Sequence, residues 1–342
     1  MKTLYYPGQR TGAFGWATCN RHLSKALEAH FRPVHEATNA DVVFMPIADH
    51  DLNPMTQERG KITVGYTFFE SELGPLAAEN AKRYDLIFCG STWCKERLAE
   101  RGILHKEVLI QGVDRSVFFP TKRQRKGPIR IFSGGKFEYR KGQDLVIEAF
   151  RLLLEKEPDA HLVCAWHNPW LPLVVDAIHR SGLKKPAPFT VDSMDVDVAQ
   201  CECYRRVLLE NGIRESQFTI LPKLGHIELA NEMRDTDLGV FPNRCEGGTN
   251  LVLMEYAACG RPVVANFHTG HRDVFDLIDM PIDAEDDEKH WAVQSPESIV
   301  ESMEGAIRRL GEPVNRSGYV PEWWEAAEKV KTAIDMLVAA EV

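Results

Sequence analysis

Short apolar runs alternate along this chain with stretches in which apolar positions recur every three to four residues, the pattern of strands alternating with amphipathic helices. The sharpest example is residues 237–266, DLGVFPNRCEGGTNLVLMEYAACGRPVVAN. Its spacing predicts a strand over Leu238–Phe241, a glycine-bearing turn, a helix from about Thr249 to Cys259 stopped by Gly260, and a strand at Val263–Ala265. Earlier runs predict strands at TLYY near the start, Asp41–Met45, Ile62–Tyr66 and Leu86–Cys89, with an amphipathic helix from about Trp16 to His30. Later ones predict strands at Ile129–Ser133 and His161–Ala165, and a helix from about Gln143 to Lys156 with apolar residues at 146, 147, 150 and 153. Helices around Pro296–Leu310 and Pro321–Leu337 close the chain. Residues 184–217 break the rhythm and read as an irregular acidic insertion followed by a helix near Cys203–Asn211. Strand and helix in alternation imply an α/β fold with doubly wound parallel sheets.

A chain of 342 residues exceeds the size of one hydrophobic core and implies two domains. The polar run TKRQRKGP, residues 121–128, has the composition of a linker between them. A net charge of −9 argues against general nucleic-acid binding, which depends on phosphate neutralisation by Lys and Arg. None of the eight cysteines forms paired C-x-x-C sets, and several fall in apolar runs, as expected of buried thiols in a reducing compartment. With no apolar run approaching 18 residues and no signal-peptide pattern in MKTLYYPGQR, the expectation is a cytoplasmic protein without a transmembrane segment.

Candidate chemistry concentrates in two places. Gly247 and Gly248 allow close backbone approach to a ligand, and the N–H groups of the first helical turn, around Thr249–Val252, form an anion site. Glu246 and Glu255 flank it as hydroxyl acceptors. An anion cradle beside hydroxyl acceptors suits a sugar nucleotide. Second, residues 121–143 hold eight Lys or Arg and one acid, Glu138; Lys136, Arg140 and Lys141 follow Gly134 and Gly135 at a predicted strand's carboxyl end. The first loop spaces its glycines 8, 12 and 15 as G-x-x-x-G-x-x-G, which misses the dinucleotide fingerprint and argues against NAD. Glu70 and Glu72 stand where a strand hands over to a loop, the end at which ligands of open α/β sheets bind, and Glu70 is equally placed to cap the next helix. Two D-x-D triplets, Asp49–Asp51 and Asp195–Asp197, read as surface features rather than a metal clamp. Trp323 and Trp324 read as packing residues of the last helix.

The stretch EGGTNLVLMEYAACGRPVVA resembles the donor motif of family 4 glycosyltransferases of the GT-B fold, E-G-F-G-L-x-x-L-E-A-M-A-C-G-x-P-V-V-A. Eight residues separate Glu246 from Glu255, one more than is usual in that family, and the extra residue falls in the turn. Gly135, Lys136, Lys141 and Gly142 fit the family's G-R-x-x-x-x-K-G, with Lys in place of Arg, which leaves a point charge where a bidentate grip is usual. LIQGVDRSVFFP, residues 109–120, resembles the family's I-P-N-G-V-D-x-x-x-F-x-P, and Glu70 resembles the glutamate of Y-T-x-F-E. The resemblance covers the second domain almost throughout and the first at scattered places.

It implies two Rossmann-like domains facing an interdomain cleft: an acceptor domain over 1–120, a donor domain over 121–320, and a final helix at about 321–342 returning to the first. It also implies a retaining transfer of sugar from a UDP- or GDP-sugar to an unidentified hydroxyl acceptor, whether small-molecule, glycan or lipid-linked. No metal and no cofactor beyond the nucleotide-sugar co-substrate are expected, and self-association is left open. Lys136, Lys141 and Glu246 would carry the catalysis. Donor contacts would come from Gly12, Gly15, Gly135, Arg140, Gly247, Gly248, Thr249, Asn250, Leu251 and Glu255, with Pro222, Lys223 and Leu224 against the base. Phe14, Glu70 and Glu72 would face the acceptor. Alternatives are a sugar-nucleotide epimerase or hydrolase of the same fold, and a non-catalytic nucleotide-sugar-binding protein.

Overall fold

The computed structural model describes residues 1–8, 11, 15–47, 49–122, 127–187, 195–312 and 319–340. It divides into two compact units: Met1–Asp114 with Glu246–Leu251 and Val320–Val342, and Arg115–Cys245 with Val252–Tyr319.

The first unit holds six strands, β1 (Thr3–Tyr5), β2 (Arg32–Val34), β3 (Val42–Ile47), β4 (Ile62–Thr67), β5 (Leu86–Cys89) and β6 (Lys106–Val108). They form one parallel sheet in the order β2-β1-β3-β4-β5-β6. Every residue of β3, β4 and β5 is buried, as in a sheet covered on both faces; β3 and β5 read as continuous apolar runs, and β4 adds the buried Thr63 and Thr67. The helices α1 (Gly15–Leu27), α2 (Ala77–Ala81) and α3 (Thr92–Glu100) follow their strands, and Ser91 caps α3 by accepting from the Cys94 amide.

The second unit repeats the plan with β7 (Arg130–Gly135), β8 (His161–Trp166), β9 (Phe218–Ile220), β10 (Leu238–Phe241), β11 (Val263–Ala265) and β12 (Met280–Pro281). All pair in parallel, in the order β12-β11-β10-β7-β8-β9. The first strand of this unit thus lies between the second and the fourth, the doubly wound order with a topological switch point between β7 and β10. Helices α4 (Gln143–Leu153), α5 (Leu171–Arg180), α6 (Val196–Glu210), α7 (His226–Arg234), α8 (Leu251–Ala258) and α9 (Pro296–Arg308) connect the strands or cover the sheet. Phe137 stacks on Tyr204 at 4.9 Å inside the core. The last helix, α10 (Trp323–Ala340), packs on α1, with Ala327, Val330 and Ile334 buried beside Leu23 and Leu27 and with Trp323 stacked on His22 at 5.6 Å.

One expectation changes. The insertion after residue 184 is more helical than its sequence suggests: α6 starts at Val196, seven residues before the predicted Cys203, with Asp195 as its N-cap accepting from the Asp197 amide. The early start escapes a periodicity reading because Val196 and Val198 are exposed. The triplet Asp49–Asp51 follows the carboxyl end of β3, with Asp49 exposed and Asp51 accepting from the Leu76 amide at 2.9 Å. Among the described residues no three of His, Cys, Asp or Glu come together as a metal site, and no helix is long and apolar enough to cross a membrane.

Candidate functional site

In an open parallel sheet, ligands bind at the carboxyl ends of the strands beside the switch point. In the second unit that place is framed by the loop after β7, residues 136–142, and the loop after β10, residues 242–245. The two loops are joined backbone to backbone: the Arg244 and Cys245 amides donate to the Arg140 carbonyl at 2.7 and 3.2 Å. Arg244 adds a bidentate pair with Asp144 at 2.8 and 2.7 Å, and its guanidinium stacks on Tyr139 at 3.9 Å. Gly142 makes the join possible. It stands at φ +73°, and a side chain there would meet the Pro242 carbonyl oxygen at 2.2 Å. Behind the β10 loop, Gln294 donates to the Pro242 carbonyl and Asn266 to the Asn243 carbonyl, both buried.

This frame carries the basic residues. Lys136 Nζ stands 2.7 Å from Glu138 Oε1 and 4.6 Å from the centre of the Trp170 ring. Arg140 Nε stands 2.8 Å from Glu138 Oε2, and its terminal nitrogen donates to the Cys245 carbonyl at 3.3 Å. Lys141 runs beside Gly135, its Cδ 4.0 Å from where a Gly135 side chain would begin. Lys136, Arg140 and Lys141 therefore share one short loop with Gly135.

Glu255 lies on α8, the helix that meets the same strand end. Val252, one turn earlier on its face, lies 2.9 Å from where a Gly134 side chain would begin. The Glu255 residue is 7% exposed, and its carboxyl forms no hydrogen bond or ion pair among the described residues. Burial alone pushes its pKa up to about 8.

The preceding turn, Glu246–Leu251, groups with the first unit and packs there on the ends of β4 and β5. The Gly247 carbonyl accepts from the Ser91 hydroxyl at 2.7 Å and from the Cys94 thiol at 3.0 Å. Glu246, Thr249 and Asn250 are buried, Asn250 is left-handed at φ +62°, and Leu251 packs on the first unit's core. Trp16, at the start of α1, meets Phe68 edge-on at 4.5 Å. Gly247 has no room for a side chain, since a Cβ would fall 2.3 Å from the Phe69 carbonyl oxygen. Gly247→Ala is expected to cost roughly 1–3 kcal/mol of stability, measured by denaturant unfolding; an unchanged midpoint would contradict this packing.

Comparison with known proteins agrees with the geometry. Residues 202–310 match the family model described as "Glycosyl transferases group 1". Over its whole length the fold resembles sucrose-phosphate synthase from Thermosynechococcus elongatus, with TM-score 0.66, 14% identity, and 99% and 100% of the two chains covered. The chain has the GT-B glycosyltransferase fold. Anabaena Alr3699/HepE, solved in complex with UDP, shares this GT-B fold at TM-score 0.57 and 14% identity over 98% of this chain and all of that one. A trehalose-6-phosphate protein from E. coli, bound with UDP-2-fluoro glucose, does so at 0.56 and 16% over 94% and 76%. The D-inositol 3-phosphate glycosyltransferase of Arthrobacter sp. (strain FB24) is 28% identical over 181 residues, which span 50% of this chain and 36% of that relative.

On this GT-B frame the structure brings Lys136, Arg140, Lys141 and Gly135 together at the end of β7, while Glu255 lies on α8, whose Val252 packs at Gly134. Lys223 and Leu224 follow β9; Lys223 is exposed and lines, with Pro222, a recess of about 640 Å³ between β9 and α6. Gly15 begins α1 at the surface, while Gly12, Ala13 and Phe14 lie outside the described residues. Glu70 follows Phe69, whose backbone faces Gly247, and Glu72 is exposed two residues on. Three participants escaped the sequence reading: Glu138, the acid shared by Lys136 and Arg140, and Ser91 and Cys94, which hold the Gly247 carbonyl. The signal for Glu138 was its being the one acid in a basic run; Ser91 and Cys94 gave none, because their partner is distant in sequence.

Proposed function

We propose that the protein is a glycosyltransferase that moves a sugar from a nucleoside-diphosphate sugar, UDP- or GDP-linked, to a hydroxyl acceptor with retention at the anomeric carbon. The observation that carries this reading is Glu255. A buried carboxylate without a partner is costly unless a ligand completes it, and it stands on the helix that meets the strand from which the Lys136–Lys141 loop leaves. A ribose offers two adjacent hydroxyls to one carboxylate, and a diphosphate offers anionic oxygens to the lysines. Breaking the anomeric C–O bond leaves positive charge on the sugar and adds negative charge to the departing diphosphate. Lys136 and Lys141 stabilise that charge as it develops. Glu246 accepts from the sugar's hydroxyls. The base lies against residues 222–224, and the acceptor is held by the first unit near Glu70 and Glu72. Eight free cysteines suit a reducing cytoplasm.

Thermal-shift measurements against UDP, GDP and ADP test the donor assignment. A nucleotide at 100 times its Kd adds about 2.7 kcal/mol to stability, so UDP or GDP is expected to raise Tm by several degrees, more than ADP. No shift with any at millimolar concentration would contradict the proposal. Incubating the matching sugar nucleotide with and without acceptors separates the alternatives: free sugar or an epimer marks a hydrolase or epimerase, and binding without turnover marks a sensor.

A further inference from the structure

The lysines of the β7 loop do not stand alone: Glu138 lies between Lys136 and Arg140, one carboxylate oxygen toward each, at 2.7 and 2.8 Å. Its side chain is 8% exposed. Arg140 reaches Oε2 along its Nε, whereas Lys136 approaches Oε1 as an ion pair outside hydrogen-bond geometry, which leaves Oε1 buried without a hydrogen bond. Gln143 fixes the backbone on both sides, donating to the Lys136 carbonyl at 2.7 Å and accepting from the Glu138 amide at 3.3 Å. Burial pushes the Glu138 carboxyl up, but Arg140, Lys136 and Lys141 outweigh burial and hold it below the ordinary range. It is therefore charged at neutral pH, in a place where an unpaired carboxylate would not be tolerated.

Three cations and one buried anion leave this loop with a net charge of two. A nucleotide sugar presents a diphosphate diester with about two negative charges. The nucleoside diphosphate left after transfer has a free terminal phosphate and about one more. Resting on the donor assignment above, we propose that Glu138 is a positioning residue: it holds Lys136 and Arg140 in place for the donor and, by cancelling one positive charge, keeps the spent nucleoside diphosphate from being held too tightly. Glu138 touches neither sugar nor phosphate; it acts through the two cations.

The test is calorimetric titration of UDP or GDP, whichever stabilises the wild type, and of its sugar nucleotide, on wild type, Glu138→Gln and Glu138→Asp. Glu138→Gln keeps the volume and loses the charge. It is expected to bind the nucleoside diphosphate about tenfold tighter, with a steeper dependence on salt, while its preference for the sugar nucleotide falls. Its kcat is expected to drop about tenfold with KM for the donor unchanged or lower, a split that simple damage to the loop would not give. Glu138→Asp keeps the charge and is expected to retain wild-type affinity for the nucleoside diphosphate. Should Glu138→Gln fail to fold, Glu138→Ser makes the same charge change in a smaller side chain. Nucleoside diphosphate affinity equal to or weaker than wild type in the charge-loss variant overturns the role of Glu138 alone. Absence of nucleotide binding by the wild type overturns the donor assignment itself.

Discussion

Replacing Lys141 by alanine is expected to lower turnover of a nucleotide sugar by about 10²–10³-fold while shifting Tm by only a few degrees. The argument is electrostatic. Transfer adds charge to the leaving diphosphate, and a cation fixed beforehand at the carboxyl end of β7 stabilises that charge without reorganising during the step. Lys141 is held for this by its surroundings: Gly142 turns the chain at φ +73°, the Lys141 amide donates to the Glu138 carbonyl at 2.8 Å, and the side chain runs beside Gly135. None of those backbone features needs the ammonium group, so stability is largely kept. Steady-state kinetics together with thermal melting check this. Wild-type kcat in a folded Lys141→Ala variant would remove the residue from the mechanism.

The second large effect concerns Glu255. Hydrogen bonds to a charged carboxylate are worth roughly 1.5–3 kcal/mol each, so Glu255→Ala is expected to weaken nucleoside diphosphate binding by about two orders of magnitude. Its pKa of about 8 adds a pH signature. Burial raises this carboxyl above its unfolded value of roughly 4.3, so the folded chain holds the proton more tightly. Stability contributed by the neutral form is complete at low pH. It is then lost as pH rises through 8, by on the order of 5 kcal/mol at most. Glu255→Gln is expected to abolish that slope and to be the more stable protein at pH 8. A ribose donating to the carboxylate favours its charged form, so nucleotide binding near pH 7 is expected to release a proton, seen as a binding enthalpy that depends on the buffer's ionisation heat. Calorimetry showing no proton release, or unchanged affinity in Glu255→Ala, would place the ribose elsewhere.

The parts of the fold that periodicity revealed are those where one physical demand dominates. Leu238–Phe241 and Val263–Ala265 are buried on both faces of a parallel sheet, so their sequence is apolar throughout and their boundaries match the structure. Strands β2 and β6 were not legible, because Arg32–Val34 and Lys106–Val108 are short edge strands whose side chains remain partly in solvent. Gly135, Gly142, Glu246 and Glu255 could be singled out as candidates because each residue type has few uses at such positions. What surrounds them could not. Glu138 reads as an ordinary acid in a basic run until the fold places it between Lys136 and Arg140. The bidentate Arg244–Asp144 pair and the Ser91 hydroxyl on Gly247 join residues 100 and 156 positions apart, a separation no local pattern records.

A crystal structure of the protein soaked with UDP or GDP tests the central claim most directly. The account predicts the diphosphate beside the ammonium groups of Lys136 and Lys141 at the carboxyl end of β7, with a ribose hydroxyl within hydrogen-bond distance of Glu255. A nucleotide bound away from the ends of β7 and β10, with Glu255 still unpartnered, would contradict it.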